Sequence, residues 1–126
     1  MKYRNKFETQ TAEFLSNKKV KFDYESEKLD YIIEAQYVPD FIIETKLGKK
    51  IYVETKGNGR SFDGNARRKL IAVKNGHQNK DIRIVFYSDG KIGPKRKDGT
   101  YFTQMQWAAK HGFKAAVKSI PDEWLE

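Results

Sequence analysis

Two short blocks of the chain carry residue types suited to hydrolytic chemistry: Pro39-Asp40 and Glu54-Thr55-Lys56. Each supplies a carboxylate, and the second adds an amine two residues on. Strand side chains alternate faces, so Tyr52, Glu54 and Lys56 share one face while Ile51, Val53 and Thr55 take the other. The runs Val38 to Thr45 and Lys50 to Lys56 are rich in Ile, Val, Phe and Tyr and flank Lys46-Leu47-Gly48. That pattern predicts a hairpin with a three-residue turn in which Gly48 is left-handed. Thr45 then pairs with Lys49, and counting back along both arms sets Asp40 opposite Glu54. Opposed Cβ atoms lie about 4.5–5.5 Å apart, where like charges destabilise the pairing. A hard divalent cation relieves that repulsion, and Mg²⁺ takes carboxylate oxygens, keeps waters and binds phosphate. The expected cofactor is Mg²⁺ or Mn²⁺, one or two per site, with Lys56 orienting a water or offsetting phosphate charge. The bland alternative makes Glu54 and Lys56 a surface pair and Asp40 a turn residue. A one-residue slip in register would place the carboxylates on opposite faces.

The composition narrows the chemistry further. There is no cysteine, which removes disulfides, thiolate zinc sites and a cysteine nucleophile. His77 and His111 are the only histidines, too few for a histidine-based metal centre. Lys and Arg outnumber Asp and Glu by 25 to 17, a formal charge of +8 that biases the chain toward polyanions or anionic membranes, with nucleic acid the expected partner. A merely basic protein is the alternative on charge alone. With 126 residues, 38% of them hydrophobic and evenly spread, the expectation is one domain with no membrane span. The polar, basic start Met1 to Lys6 does not resemble a secretory signal, so a cytoplasmic location is expected.

Several elements must position these residues. Phe7, Phe14 and Leu15 recur at helical spacing and predict an opening helix from Asn5 to about Lys19. Rough alternation from Val20 to Ile33 predicts one long half-buried strand or a bent pair. After Gly57-Asn58-Gly59, a second helix is expected from Asp63 until Gly76, and then an apolar, central strand from Asp81 to Tyr87. Ser88 to Thr100, with its glycines, proline and basic residues, reads as a mobile basic loop. A third helix from Thr103 to Lys110 ends at Gly112, and the tail is expected to dock through Trp124. This order implies an α/β or α+β fold, a mixed central sheet flanked by helices.

Pro39-Asp40 followed by Glu54-Thr55-Lys56-Gly57 resembles the signature of restriction-endonuclease-like nucleases, Pro-Asp then Asp/Glu-x-Lys. Further blocks sharpen the likeness: Lys21-Phe22-Asp23-Tyr24-Glu25, Asp81-Ile82-Arg83-Ile84-Val85-Phe86, Lys110-His111-Gly112 and Ile120-Pro121-Asp122-Glu123-Trp124. In that order they resemble endonuclease I of the T-seven-like bacteriophages over nearly the whole chain. The resemblance implies a restriction-endonuclease-like core and a homodimer that nicks four-way DNA junctions and cuts other branched DNA. It implies metal ligation by Asp40, Glu54 and the Thr55 carbonyl, a catalytic Lys56, and an additional glutamate matching Glu8. It also implies exchange of an element between subunits, so that each active site draws on both chains. Two departures are visible: a longer hairpin, by an even number of residues, and a bridge from Ile32 to Val38 that is shorter and lacks the family's proline. Read on its own, Glu8 shares a helical stripe with Ala12 and Leu15 at the edge of a buried face, most often a solvated boundary.

Substrate contacts are sought among the basic residues. Arg67, Arg68 and Lys69 begin the second helix just after the site strand, where they would meet backbone phosphates or form a solvated face. Lys91, Lys95, Arg96 and Lys97 would wrap DNA or simply keep the protein in solution. No feature reads bases, so recognition of branch shape is expected. The rivals are a nuclease of the same fold for linear or mismatched duplexes, and a non-catalytic DNA-binding module whose acidic pair binds a stabilising cation.

Overall fold

A computed structural model describes residues 2–126. The chain divides into two compact units, Met1–Ala35 and Gln36–Glu126. In the first, helix α1 (Lys6–Asn17) starts where the Asn5 side chain accepts the Glu8 amide, an ordinary N-cap, and its buried residue is Ala12. The strand expected between Val20 and Ile33 is absent. A strand needs a partner edge for its amides and carbonyls, and this unit contains no other strand among its described residues. Leu29, Tyr31, Ile32 and Ile33 instead lie exposed, Ile32 to 94%.

The second unit is built on a mixed sheet of order β1-β2-β3-β6: β1 Phe41–Glu44, β2 Lys50–Lys56, β3 Ile82–Phe86 and β6 Lys114–Val117. β1 and β2 form the expected antiparallel hairpin, while β3 runs parallel to β2 and β6 parallel to β3. All five β3 residues are buried, as a central strand requires. Alternation sends Ile82, Ile84 and Phe86 to one face, where Phe62, Leu70, Trp107, Ala108 and Phe113 complete a core. Leu70 comes from α2 (Gly64–Gly76), capped by Asp63, and Trp107 from α3 (Gln104–Lys110), whose Thr103 and Gln106 form a capping box. The opposite face packs Ile51, Val53 and Val85 against Trp124, so the tail docks as expected. Fully burying side chains of this size stabilises the fold by about 1.5–3 kcal/mol each.

A second expectation is corrected, and one strand had not been expected. Ser88 to Thr100 is not an open loop: β4 (Lys91–Ile92) pairs with β5 (Phe102–Thr103), and the Arg96 amide donates to the Thr100 carbonyl at 2.7 Å to close a hairpin. β6 went unread because Lys114-Ala115-Ala116-Val117 has almost no β-branched or aromatic character, and its neighbour β3 alone defines it. Among the described residues no helix is long and apolar enough to cross a membrane.

Candidate active site

The hairpin register is the one the turn chemistry predicts. Gly48 is left-handed at φ 84°, Phe41 faces Val53, and Glu44 faces Lys50, which puts Asp40 opposite Glu54 one step beyond the strand. The Thr45 amide donates to the Lys49 carbonyl at 2.7 Å, so the hydrogen-bonded pairs are 45–49, 43–51 and 41–53. Asp40 and Glu54 therefore fall in the non-bonded phase, the one that brings side chains closer, with Cα atoms about 4.5 Å apart. Continuing the ladder pairs Pro39 with Thr55. Proline has no N–H, so it donates nothing to the Thr55 carbonyl, and that oxygen is left without its ladder bond. The Thr55 amide and hydroxyl turn instead to one Asp40 oxygen, Oδ2, at 2.9 and 2.8 Å.

The two carboxylates differ in environment. Glu54 is 6% exposed, and burial first, then the adjacent Asp40, holds its carboxyl above the usual glutamate value, against the pull of Lys56. Asp40 is exposed; burial works against its charge, but the Thr55 donors and Lys56 outweigh this and hold it below the usual aspartate value. Lys56 Nζ stands 3.6 Å from Glu54 Oε2, and the Asp40 amide donates to Glu54 Oε1 at 3.3 Å. Two close carboxylates and the Thr55 carbonyl form an all-oxygen donor set, with Lys56 beside it, that suits Mg²⁺, which binds through one or two carboxylates and keeps its waters. No group of three His, Asp or Glu side chains converges among the described residues, so the unit 36–126 offers this pair without a third carboxylate.

Glu8 lies in the unit Met1–Ala35, on the first turn of α1. Its Oε1 accepts the Tyr24 hydroxyl at 2.6 Å and the Arg4 amide at 2.9 Å, and its Oε2 pairs with the Arg4 guanidinium at 3.2 Å. The Tyr24 bond, above all, holds its carboxyl below the usual value. The basic residues of α2 are held locally. Arg67 donates to the Phe62 carbonyl at 2.6 Å, Arg68 to Asn65, and Lys69 Nζ stands 5.7 Å over the Tyr37 ring. In the β4–β5 hairpin Lys91 covers Tyr101 and Arg96 covers Phe102, while Lys95 and Lys97 lie in its exposed turn.

Two residues near the pair escaped the sequence. Lys118 lines a cavity of about 290 Å³ with Thr55, Lys56, Gly57 and Tyr87, at the carboxyl ends of β2 and β3. It follows the unread strand β6, so nothing pointed to it. Tyr37 carries a buried hydroxyl without a hydrogen-bond partner, and burial first, then the charges of Glu54 and Asp40, pushes its pKa far above the tyrosine range. A tyrosine three residues before the aspartate was the available signal, but the segment Gln36 to Pro39 is not a strand, so alternation could not aim it.

The family model of phage endonuclease I matches residues 1–126. The chain is 37% identical to Endonuclease I of Escherichia phage T7 over 127 aligned positions, 98% of this chain and 78% of that one. It is 34% identical to Endodeoxyribonuclease 1 of Enterobacteria phage T3 over 122 positions, 94% of this chain and 74% of that one. With a sheet that sets two carboxylates and a lysine together and a likeness running its whole length, the chain belongs to the phage endonuclease I family and is a nuclease.

Proposed function

We propose that this nuclease resolves four-way and other branched DNA by Mg²⁺-dependent phosphodiester hydrolysis, in the host cytoplasm, as a homodimer whose active sites are shared between chains. The observation that carries the chemistry is the facing of Asp40 and Glu54 in the close, non-bonded phase beside Lys56. Asp40, Glu54 and the Thr55 carbonyl hold one or two Mg²⁺ or Mn²⁺ ions, with Glu8 completing the set. When bound, the metal supplies Lewis-acid chemistry, withdrawing charge from the phosphate under attack. Lys56 orients the attacking water and offsets charge on the phosphate. Thr55 holds the Asp40 carboxyl below its usual value and so favours the ionised form that takes a cation, while burial holds Glu54 above its usual value, so its share in binding the cation grows as pH rises.

The +8 charge supports a DNA partner. Arg67, Arg68, Lys69, Lys91, Lys95, Arg96 and Lys97 meet backbone phosphates, and branch shape provides the selectivity. The exposed apolar run Leu29, Tyr31, Ile32 and Ile33 supports pairing with a second copy, since monomers seldom leave such a patch in water. The deciding experiment compares cleavage of a four-way junction with cleavage of its separate linear arms, with and without Mg²⁺. Nicking of the junction alone, and only with metal, is expected. Equal cutting of the linear arms would make this a duplex nuclease, and an intact junction in both Mg²⁺ and Mn²⁺ would leave a binding module. Glu54→Ala and Lys56→Ala should bind the junction without cutting it; full activity in either removes that residue from the site.

A further inference from the structure

We infer that Tyr37 is a positioning residue of this site: its hydroxyl donates to the Glu54 carboxylate and fixes the orientation in which Glu54 offers its oxygens to a divalent cation. This rests on the metal-dependent reading above. The Tyr37 hydroxyl is buried and finds no partner, an uncommon and costly state for a polar atom in a folded protein.

Its location explains the state. Glu54 shares a sheet face with Tyr52 and Ile84, the face that α2 covers, and the Tyr37 ring packs on that same core. Lys69 of α2 lies over the ring at 5.7 Å, so the side chain is clamped between helix and sheet. The charges acting on the hydroxyl are those of Glu54 and Asp40. Ionised carboxylates only accept, and a phenol donates, so a small side-chain shift that brings the hydroxyl within hydrogen-bond distance of one of them satisfies it. Asp40 already takes two short bonds from Thr55. Glu54 has only the long approaches of the Asp40 amide at 3.3 Å and Lys56 at 3.6 Å. Glu54 is thus the carboxylate short of a donor and Tyr37 the donor short of an acceptor. Such outer partners orient metal ligands, and losing one typically weakens metal affinity about 10–100-fold.

The test replaces Tyr37 by Phe, which removes one oxygen and keeps the ring. Mn²⁺ binding to the whole protein, without DNA, is followed by electron paramagnetic resonance beside the thermal midpoint in metal-free buffer and junction cleavage across a Mg²⁺ series. We expect Tyr37→Phe to bind Mn²⁺ about tenfold more weakly, with an unchanged metal-free midpoint and with kcat restored at saturating Mg²⁺. Wild-type Mn²⁺ affinity in the variant overturns the inference while leaving the metal site standing. A midpoint that falls together with affinity overturns it as well, by making Tyr37 a packing residue only. If the unaltered protein binds no Mn²⁺, the metal-dependent reading itself fails.

Discussion

Asp40 and Glu54 stand side by side yet hold their protons differently, and the difference makes metal binding sensitive to pH. Glu54 is raised above 4.5, so in the metal-free fold its contribution to stability is fully present below that ordinary value and is lost as pH rises through the raised one. A divalent cation acts in the opposite sense, because it binds the ionised form. The stabilisation by Mg²⁺ is therefore expected to be small near pH 4.5 and to grow toward neutral pH, reaching about 2.7 kcal/mol at a hundredfold excess over Kd. Thermal midpoints with and without Mg²⁺ across that range check this, and a shift independent of pH would separate Glu54 from the metal. At this scale the facing pair was legible because a three-residue turn with a left-handed Gly48 leaves one register, and register decides faces. The partners of Glu8 were not: Tyr24 reaches it from sixteen residues away through a segment that forms neither helix nor strand.

Among the elements, β3 carries the most weight, and its entry is tied down by charge as well as by the packing of Ile82. Asp81 receives Arg83 in a two-pronged pair at 3.0 and 2.9 Å and Lys49 at 2.8 Å, while Arg83 is buried under Trp124. The Arg83 bonds, foremost, hold the Asp81 carboxyl well below the usual range. Asp81→Asn leaves a buried guanidinium without its counter-ion and is expected to cost about 2 kcal/mol, less than a fully buried pair because Asp81 is partly solvated. Denaturant unfolding measures this. Because the folded pKa is depressed, the contribution is present above 3.8 and fades as pH falls through the lower value, so the deficit of the variant should shrink in strong acid. A deficit unchanged by acid would mean that lost packing, not charge, is responsible. The helices and the hairpin were readable from period, caps and turn residues. β6 and the 88–100 hairpin were not, since both are strands only by virtue of their neighbours.

For the molecule as a whole, the mixed α/β class followed from the order of elements, but the parallel pairing of β3 with β6 did not. Nor did the exposure of Leu29 to Ile33, whose alternation matched a strand with no partner inside its own unit. If a second copy covers that run and supplies Glu8 across the dimer, a mixed dimer of Glu8→Ala and Glu54→Ala chains has one intact composite site. Such a dimer should nick junctions at about half the rate of the unaltered protein, whereas either homodimer of variants should be nearly inactive. A mixed dimer as inactive as its parents would show that each site is built from one chain.

The turn that sets the register has a practical use. Leu47 at its tip is 88% exposed, and the hairpin carries it roughly 20 Å from the Asp40–Glu54 end, at about 3.3 Å per residue. Since the chain contains no cysteine, Leu47→Cys creates a single attachment point. A fluorophore there rides on the strands that bear the carboxylates, yet stands clear of them, and so can report the arrival and bending of DNA while the chemistry runs undisturbed.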